Sequence, residues 1–425
     1  MSMKLMTDDR RPRRRRGGYR NRHRRTANKE PVPIDPEALA MEAEHRSELE
    51  IPQALISQDA LRVVESLEHA GHLAYVVGGC VRDLALGRSP KDFDVATSAR
   101  PEQVRRLFRN ARIIGRRFRL VHVRFGQDRL IEVATFRRSP DPDVEGDLLV
   151  AADNVFGDPK EDALRRDFTV NGLFYTPRDG GRVIDYVGGC KDLEAKLLRS
   201  IGDADVRCQE DPVRMIRAIR FAAKHRLKLS PDLRKAINKH SETIHRCAGA
   251  RLWEELLKVL RSGASKQAFA LAQRTGFLTA FLPDYAAVYG ERKSACERPL
   301  AGLDRIVKER GTPPSDHVLV SALILPMLQA QRPRAQAENI LSQWNEVFRI
   351  PNRLREQVVF SLLAVRGMVP EGPWVDPDSF SRRALFAPAV EVLQVLVAGQ
   401  GEGQGLLKYW DHRRQPHPDE EDEAE

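Results

Sequence analysis

Apolar positions follow two regimes along this chain. From about residue 57 to residue 190 short apolar runs alternate with helical periods, and from about residue 192 onward the spacing is helical almost throughout. The stretch "SQDALRVVESLEHAG" sets Leu61, Val64 and Leu67 on one stripe, with Ser57 as N-cap and Gly71 as the stop, and predicts an amphipathic helix. "LAYVVGG" predicts a strand, "VRDLALG" one or two helical turns, and "FDVATS" the next strand, after which Pro101 opens the helix "PEQVRRLFRN". "RLVHVRFG" and "RLIEVATFRR" predict a hairpin that turns around Gln127 and Asp128. Pro159 opens a helix expected to run through "PKEDALRRDFTVNGLFY", and "RVIDYVGG" predicts a closing strand. The expected fold class is α+β, a head of mixed strands and helices followed by an all-helical remainder.

Composition narrows the function classes. A chain of 425 residues exceeds one ordinary core, so two or three packed units plus tails are expected. No apolar run reaches the ~18 to 20 residues of a membrane span, and the longest, "DHVLVSALILPMLQA", is broken by Pro326 and reads as a buried helix. Nor does an apolar core follow the N-terminal charges, as a secretory signal would require. The five cysteines are scattered, with no C-x-x-C pair, which fits a reducing cytoplasmic setting without disulfides or a zinc site.

The net charge of +10 is unevenly placed. Residues 1–30 hold ten Arg and two Lys against three acids, and the C-terminal "PDEEDEAE" holds six acids. The remaining chain is therefore basic as well. A polyanionic partner such as RNA fits this balance; the competing reading of "RRPRRRRGGYRNRHRR" is a solubilising tail. Residues 1–50 are expected to be a disordered basic arm.

In a strand, positions i and i+2 face the same side, so Asp92 and Asp94 of "SPKDFDVATS" project together while Phe93 points into the core. Two adjacent carboxylates repel one another, and a divalent cation relieves that repulsion. The alternative is a pair of solvated strand-end acids. Upstream, Gly78 and Gly79 of "VVGGCVRD" let the backbone approach a triphosphate, with Arg82 just behind, although the same glycines also suit a plain tight turn. No G-x-x-x-x-G-K-[ST] motif is present. In "RRDFTVNGLFY" Asp167 and Asn171 are four apart, beside Arg166. In "EDPVRMIRAIRFAAK" Arg214, Arg217 and Arg220 recur every three residues behind Asp211. Asp211 alone reads equally well as a helix cap. Glu132 adds either a further carboxylate or one half of a cross-strand ion pair.

Taken together, "VVGGCVRDLALGRSPKDFDVAT", "RRDFTVNGLFY", "DYVGGCKDL" and "EDPVRMIRAIRFAA" resemble the bacterial poly(A) polymerase and CCA-adding enzyme family of nucleotidyltransferases over roughly residues 55–260. The resemblance implies a nucleotidyltransferase palm at 51–190, a helical neck at 191–260, a helical RNA-binding body at 261–412 and an acidic tail at 413–425. It implies that Asp92 and Asp94 bind catalytic Mg²⁺, for which Mn²⁺ can substitute, and that Asp167 joins them as a catalytic acid. Gly78, Gly79, Arg82 and Arg166 would then hold the triphosphate of ATP. Asp211 and Arg214 would meet the edge of the incoming base, with Arg217 and Arg220 lining the same pocket. The stretch "IIGRRFRLVHVRFG", with Arg116, Arg117, Phe118, Arg119 and His122, is similar to the segment that marks poly(A) polymerases. The implied activity is template-independent addition of AMP to RNA 3′ ends, in the cytoplasm and without a membrane partner. Partners in RNA decay would follow from that activity, but the sequence identifies none. The rival readings are a CCA-adding tRNA nucleotidyltransferase and a catalytically silent RNA-binding protein.

Overall fold

The computed structural model describes residues 32–414 apart from 116–118, 127–128, 139–154, 330, 370–371, 373–374 and 384–385. The basic segment 1–31, the tail 415–425 and Arg116, Arg117 and Phe118 lie outside the described residues.

The head is built on a mixed sheet of eight strands. These are β1 (Arg46–Glu50), β2 (Ala74–Val77), β3 (Asp94–Thr97), β4 (Ala111–Ile114), β5 (Leu120–Phe125), β6 (Arg129–Thr135), β7 (Leu173–Thr176) and β8 (Arg182–Asp185), in the order β1-β8-β7-β2-β3-β6-β5-β4. Only β3 and β6 pair in parallel. The predicted hairpin is β5–β6.

Two cores cover opposite faces of this sheet, as the two-residue side-chain period demands. Val76, Val95, Val121, Val123 and Val133 point to the face covered by the helices Gln58–His69 and Pro101–Leu107. Tyr75, Val77, Ala96 and Phe174 point the other way, into a second cluster that Ala38 and Leu39 of the helix Pro36–Glu44 join. The fully apolar β2 is buried on both sides, as is β7.

Two expectations fail here. Residues 36–50 are not a disordered arm: they form a capped helix and the edge strand β1, which pairs with β8. Glu42 of that helix is fully buried, accepting from Tyr75 Oη at 2.9 Å and from Arg178. The helix opened by Pro159 also stops early, at Leu164; Thr169–Asn171 is a single 3₁₀ turn and Leu173–Thr176 is strand β7. Residues 168–175 are all buried, and from Leu173 they run in an inner strand of the sheet, so tertiary burial overrides local helical spacing.

Beyond a small parallel pair, β9 (Leu197–Leu198) with β10 (Lys228–Leu229), the described chain is helical. The helix Val213–His225 buries Met215, Ile216, Ala218, Ile219, Ala222 and Ala223 and ends on Arg226 at φ 58°. In the distal part, the helices Lys293–Arg310 and Phe386–Gln400 cross at Gly302, where a Cβ would lie 1.9 Å from the Val395 carbonyl oxygen. Only glycine permits that approach. No described helix is long and apolar enough to cross a membrane.

Candidate active site

Strand pairing sets a lateral row of residues across one face of the sheet. Val77 of β2 stands opposite Asp94 of β3, Asp94 opposite Glu132 of β6, Glu132 opposite His122 of β5, and His122 opposite Arg112 of β4. Asp92 lies in the turn just before β3, and Phe93 between the two acids packs against the core, as the two-residue period requires. Asp92, Asp94 and Glu132 line one open cleft with Asp59, Lys91 and Leu130. Surrounding protein, reinforced by Asp92 and Glu132, pushes the Asp94 carboxyl up to about 6 against the opposing pull of Arg166. Glu132 lines the cleft, and its Oε1 lies 3.3 Å from Nε2 of His122 on the neighbouring strand.

The turn after β2 forms the next corner. Gly78 sits at φ 78°, and a Cβ there would meet Nη1 of Arg166 at 3.0 Å. Arg82, nearly fully buried on the short helix Gly79–Ala85, donates from Nη1 to Asn171 Oδ1 at 2.5 Å and from Nε and Nη2 to Asp83. Arg166 donates to Asp162 from Nη2 at 2.9 Å and to the Asn171 carbonyl oxygen from Nη1 at 3.2 Å, with its guanidinium 5.0 Å from the Phe174 ring centre. Gly78, Arg82, Arg166 and Asn171 thus meet at the corner where β2 turns away from the sheet.

Asp167 is held by the turn that follows it and by the helix Val213–His225. It is not among the residues lining the carboxylate cleft. Its Oδ1 accepts from Asn171 Nδ2 at 2.9 Å, and its Oδ2 accepts from Arg217 Nε at 3.0 Å and Nη2 at 2.6 Å. Burial raises its pKa, but Arg217 and these hydrogen bonds outweigh burial and hold it below the usual carboxylate range. The pairing with Asn171 comes from a turn, not from the helical face that the sequence spacing suggests.

The arginines of the helix Val213–His225 are organised by acids from elsewhere. Glu255, buried on the helix Gly249–Leu260, lies 3.7 Å from Arg217 and accepts from Arg220 Nη2 at 3.3 Å. Asp211 is held bidentately by Arg251, at 2.9 and 2.7 Å. Arg214 differs from Arg217 and Arg220 in having no acid among the described residues within ion-pair distance; its Nη1, like Nε of Arg220, is buried without a hydrogen-bond partner, and burial together with the charge of Arg207 lowers its pKa. At the centre stands Phe221, ringed by Arg82 at 5.3 Å, Arg217 at 5.5 Å and Arg220 at 4.4 Å, with Phe168 against it edge-on. Glu255, Arg251, Asp162 and Asp83 escaped the sequence reading. Of these Asp83, adjacent to Arg82, and Asp162, four residues before Arg166, carried a local signal. Arg119 pairs with Glu102, away from the acids.

A mixed sheet with two acids at the start of a central strand, a glycine turn beside them and an arginine-rich helix behind is a nucleotidyltransferase arrangement. The family profile described as "Poly A polymerase head domain" matches residues 74–199, and "Probable RNA and SrmB- binding site of polymerase A" matches residues 226–288. The CCA-adding enzyme of Geobacillus thermodenitrificans is 31% identical over 347 residues, 81% of this chain and 79% of that protein. Poly(A) polymerase I of Escherichia coli O6:H1 is 49% identical over 224 residues, 51% of this chain; the match spans 48% of that relative, about half its length. Among solved structures, the Bacillus stearothermophilus CCA-adding enzyme in complex with CTP superposes with a TM-score of 0.64 at 27% identity, covering 84% of this chain and 81% of that one. The chain belongs to the poly(A) polymerase and CCA-adding enzyme family of nucleotidyltransferases.

Proposed function

We propose that this protein is an ATP:RNA adenylyltransferase, adding AMP units to RNA 3′ ends without a template. The observation that carries the choice within the family is the 49% identity over 224 residues to a poly(A) polymerase I, against 39% over 210 residues to the CCA-adding enzyme of Bacillus subtilis. RNA and ATP as ligands accord with the RNA-binding profile over 226–288 and with a related tRNA nucleotidyltransferase solved with a primer tRNA and an ATP analogue. A cytoplasmic setting follows from such a substrate.

The residues fit Mg²⁺. Asp92, Asp94 and Glu132 offer hard oxygen ligands in one cleft, crowded enough that Asp94 titrates near 6. Among the described residues no three such side chains already close into a metal cage. An open two- or three-carboxylate rim suits an ion that completes its shell with water and substrate phosphates. When bound, Mg²⁺ would lower the pKa of the attacking hydroxyl and neutralise charge developing on the phosphates.

The remaining work falls to the chain itself. The backbone at Gly78 and Gly79, with Arg82 and Arg166, would cradle the triphosphate, so that pyrophosphate leaves in line as the RNA 3′ oxygen attacks the α-phosphorus. Arg214, with its unpartnered Nη1, and Asp211 would meet the base edge. Asp167 would act as a positioning residue that fixes Arg217. The test is primer extension of a non-tRNA oligonucleotide with Mg²⁺ and each nucleoside triphosphate separately. Long ladders with ATP alone are expected. Addition of C, C and A to a truncated tRNA, followed by a stop, would overturn this reading in favour of a CCA-adding enzyme.

A further inference from the structure

Residues 105–129 contain nine arginines and a single acid, Asp128, so this short segment alone carries +8. That is most of the net charge of the entire chain, and the nucleotide-binding arginines are not part of it. Its described residues form the outer edge of the head: the end of the helix Pro101–Leu107, the edge strand β4 and its neighbour β5.

The strand register decides where this charge faces. Ile113, Val121 and Val133 form one lateral row, of which Val121 and Val133 are buried in the helix-covered core. Arg112, His122 and Glu132 alternate with them and therefore share the opposite face with Asp94. On that face Arg124 stands directly opposite Leu130, and Ile114 follows Arg112 at i+2. Arg112 and Arg124 are exposed, and so are Ile114 at 39% and Leu130 at 36%. Leu130 also lines the carboxylate cleft itself. Three strand-to-strand steps of ~4.8 Å separate Asp94 from Arg112, so the row spans roughly 14 Å from the reacting end to the sheet edge.

We propose that this face of β4–β6 is the track for the RNA immediately upstream of its 3′ end. Arg112 and Arg124 bind backbone phosphates, while Leu130 and Ile114 offer apolar contact to base faces. The assignment rests on the adenylyltransferase reading for its direction, because the row leads to the acids where the 3′ oxygen must sit. It adds a second RNA surface to the one matched at 226–288. Guanidinium groups interleaved with apolar side chains suit single-stranded RNA, since phosphate contacts carry no sequence information and base faces are chemically alike. A merely protective role for charges on an edge strand does not require the row to end at Glu132 and Asp94.

The test uses the full chain and a fluorescent single-stranded oligoadenylate. Arg112→Gln/Arg124→Gln should raise the RNA dissociation constant roughly tenfold, about 1.4 kcal/mol. It should also flatten the plot of log affinity against log salt by about 0.7 per lost phosphate contact. ATP KM should stay unchanged. Lys191→Gln, at an exposed lysine of the helix Gly189–Glu194, serves as the charge control and should do neither. In the unaltered protein, photo-crosslinking of a 4-thiouridine at the penultimate nucleotide should label β5 or β6, a readout that survives if the double variant misfolds. An unchanged salt slope, an equal loss in the Lys191 variant, or crosslinks confined to the helical region would each overturn the proposal. Binding and crosslinking are read without ATP, so they stand or fall separately from the outcome of primer extension.

Discussion

The carboxylate cleft and the arginine helix lie side by side, yet they handle charge in opposite ways. In the cleft Asp92, Asp94 and Glu132 crowd together with only distant help from Arg166, and Asp94 rises to about 6 as a result. On the helix Val213–His225 two of the three stripe arginines already have partners: Arg217 holds Asp167 and approaches Glu255, and Arg220 holds Glu255. Charge left unbalanced marks what a ligand has to supply, and charge balanced internally marks what has to stay in place. Arg214, the stripe member with an unpartnered buried Nη1, belongs with the cleft in this respect.

The largest effect that would break this contrast is on catalysis. Asp94→Asn should reduce nucleotide addition by at least roughly 10³-fold, the order seen when a single essential electrostatic group is lost. Its fold should survive. A melting temperature well below that of the unaltered protein would make Asp94 structural and the contrast false. Next comes Arg217→Ala, which strands Asp167. Because Arg217 keeps 32% side-chain exposure, the cost should be about 2 kcal/mol, below the ~3–5 kcal/mol of a fully buried pair. Chemical denaturation measures it, and adding Asp167→Asn should restore part of the loss.

A smaller effect concerns pH. The folded-state pKa of Asp94 lies above its unfolded value of 3.8, so its contribution to stability is fully present below pH 3.8 and is lost as pH rises through about 6. Without divalent ions, the melting temperature of Asp94→Asn relative to the unaltered protein should therefore increase between pH 4 and pH 7, and Mg²⁺ should shrink the difference at the upper end. A pH-independent difference would show that crowding at Asp94 is inconsequential. Smallest of all, Arg251→Ala removes a pair in which Arg251 is 54% exposed, so stability should change by less than about 1 kcal/mol. The change should appear in the ratio of ATP to CTP incorporation, because Asp211 loses the group that orients it.

What was readable in the sequence divides along the same line. Asp92 and Asp94, Gly78 and Gly79, and the arginines at spacing three are local patterns, and each lies where its pattern puts it. The acids that complete the arginine helix are not local: Glu255 comes from 38 residues beyond Arg217, and Asp167 from 50 residues before it. Spacing alone cannot show that Asp167 turns toward Arg217. β1 was unreadable for another reason. Its sequence "RSELE" is charged at alternate positions, exposed on an edge and paired on one side only, so it lacks the apolar run that marks the central strands.

Phe221 carries a mechanical consequence. Arg82 reaches its ring from the helix that follows the glycine turn, and Arg217 and Arg220 reach it from its own helix, so one aromatic side chain ties residues proposed to hold the triphosphate to residues proposed to line the base pocket. The two halves of a bound nucleotide would then be gauged against the same fixed point. An opening hinged elsewhere than at this joint would leave the alignment of the reacting atoms undisturbed from one addition to the next.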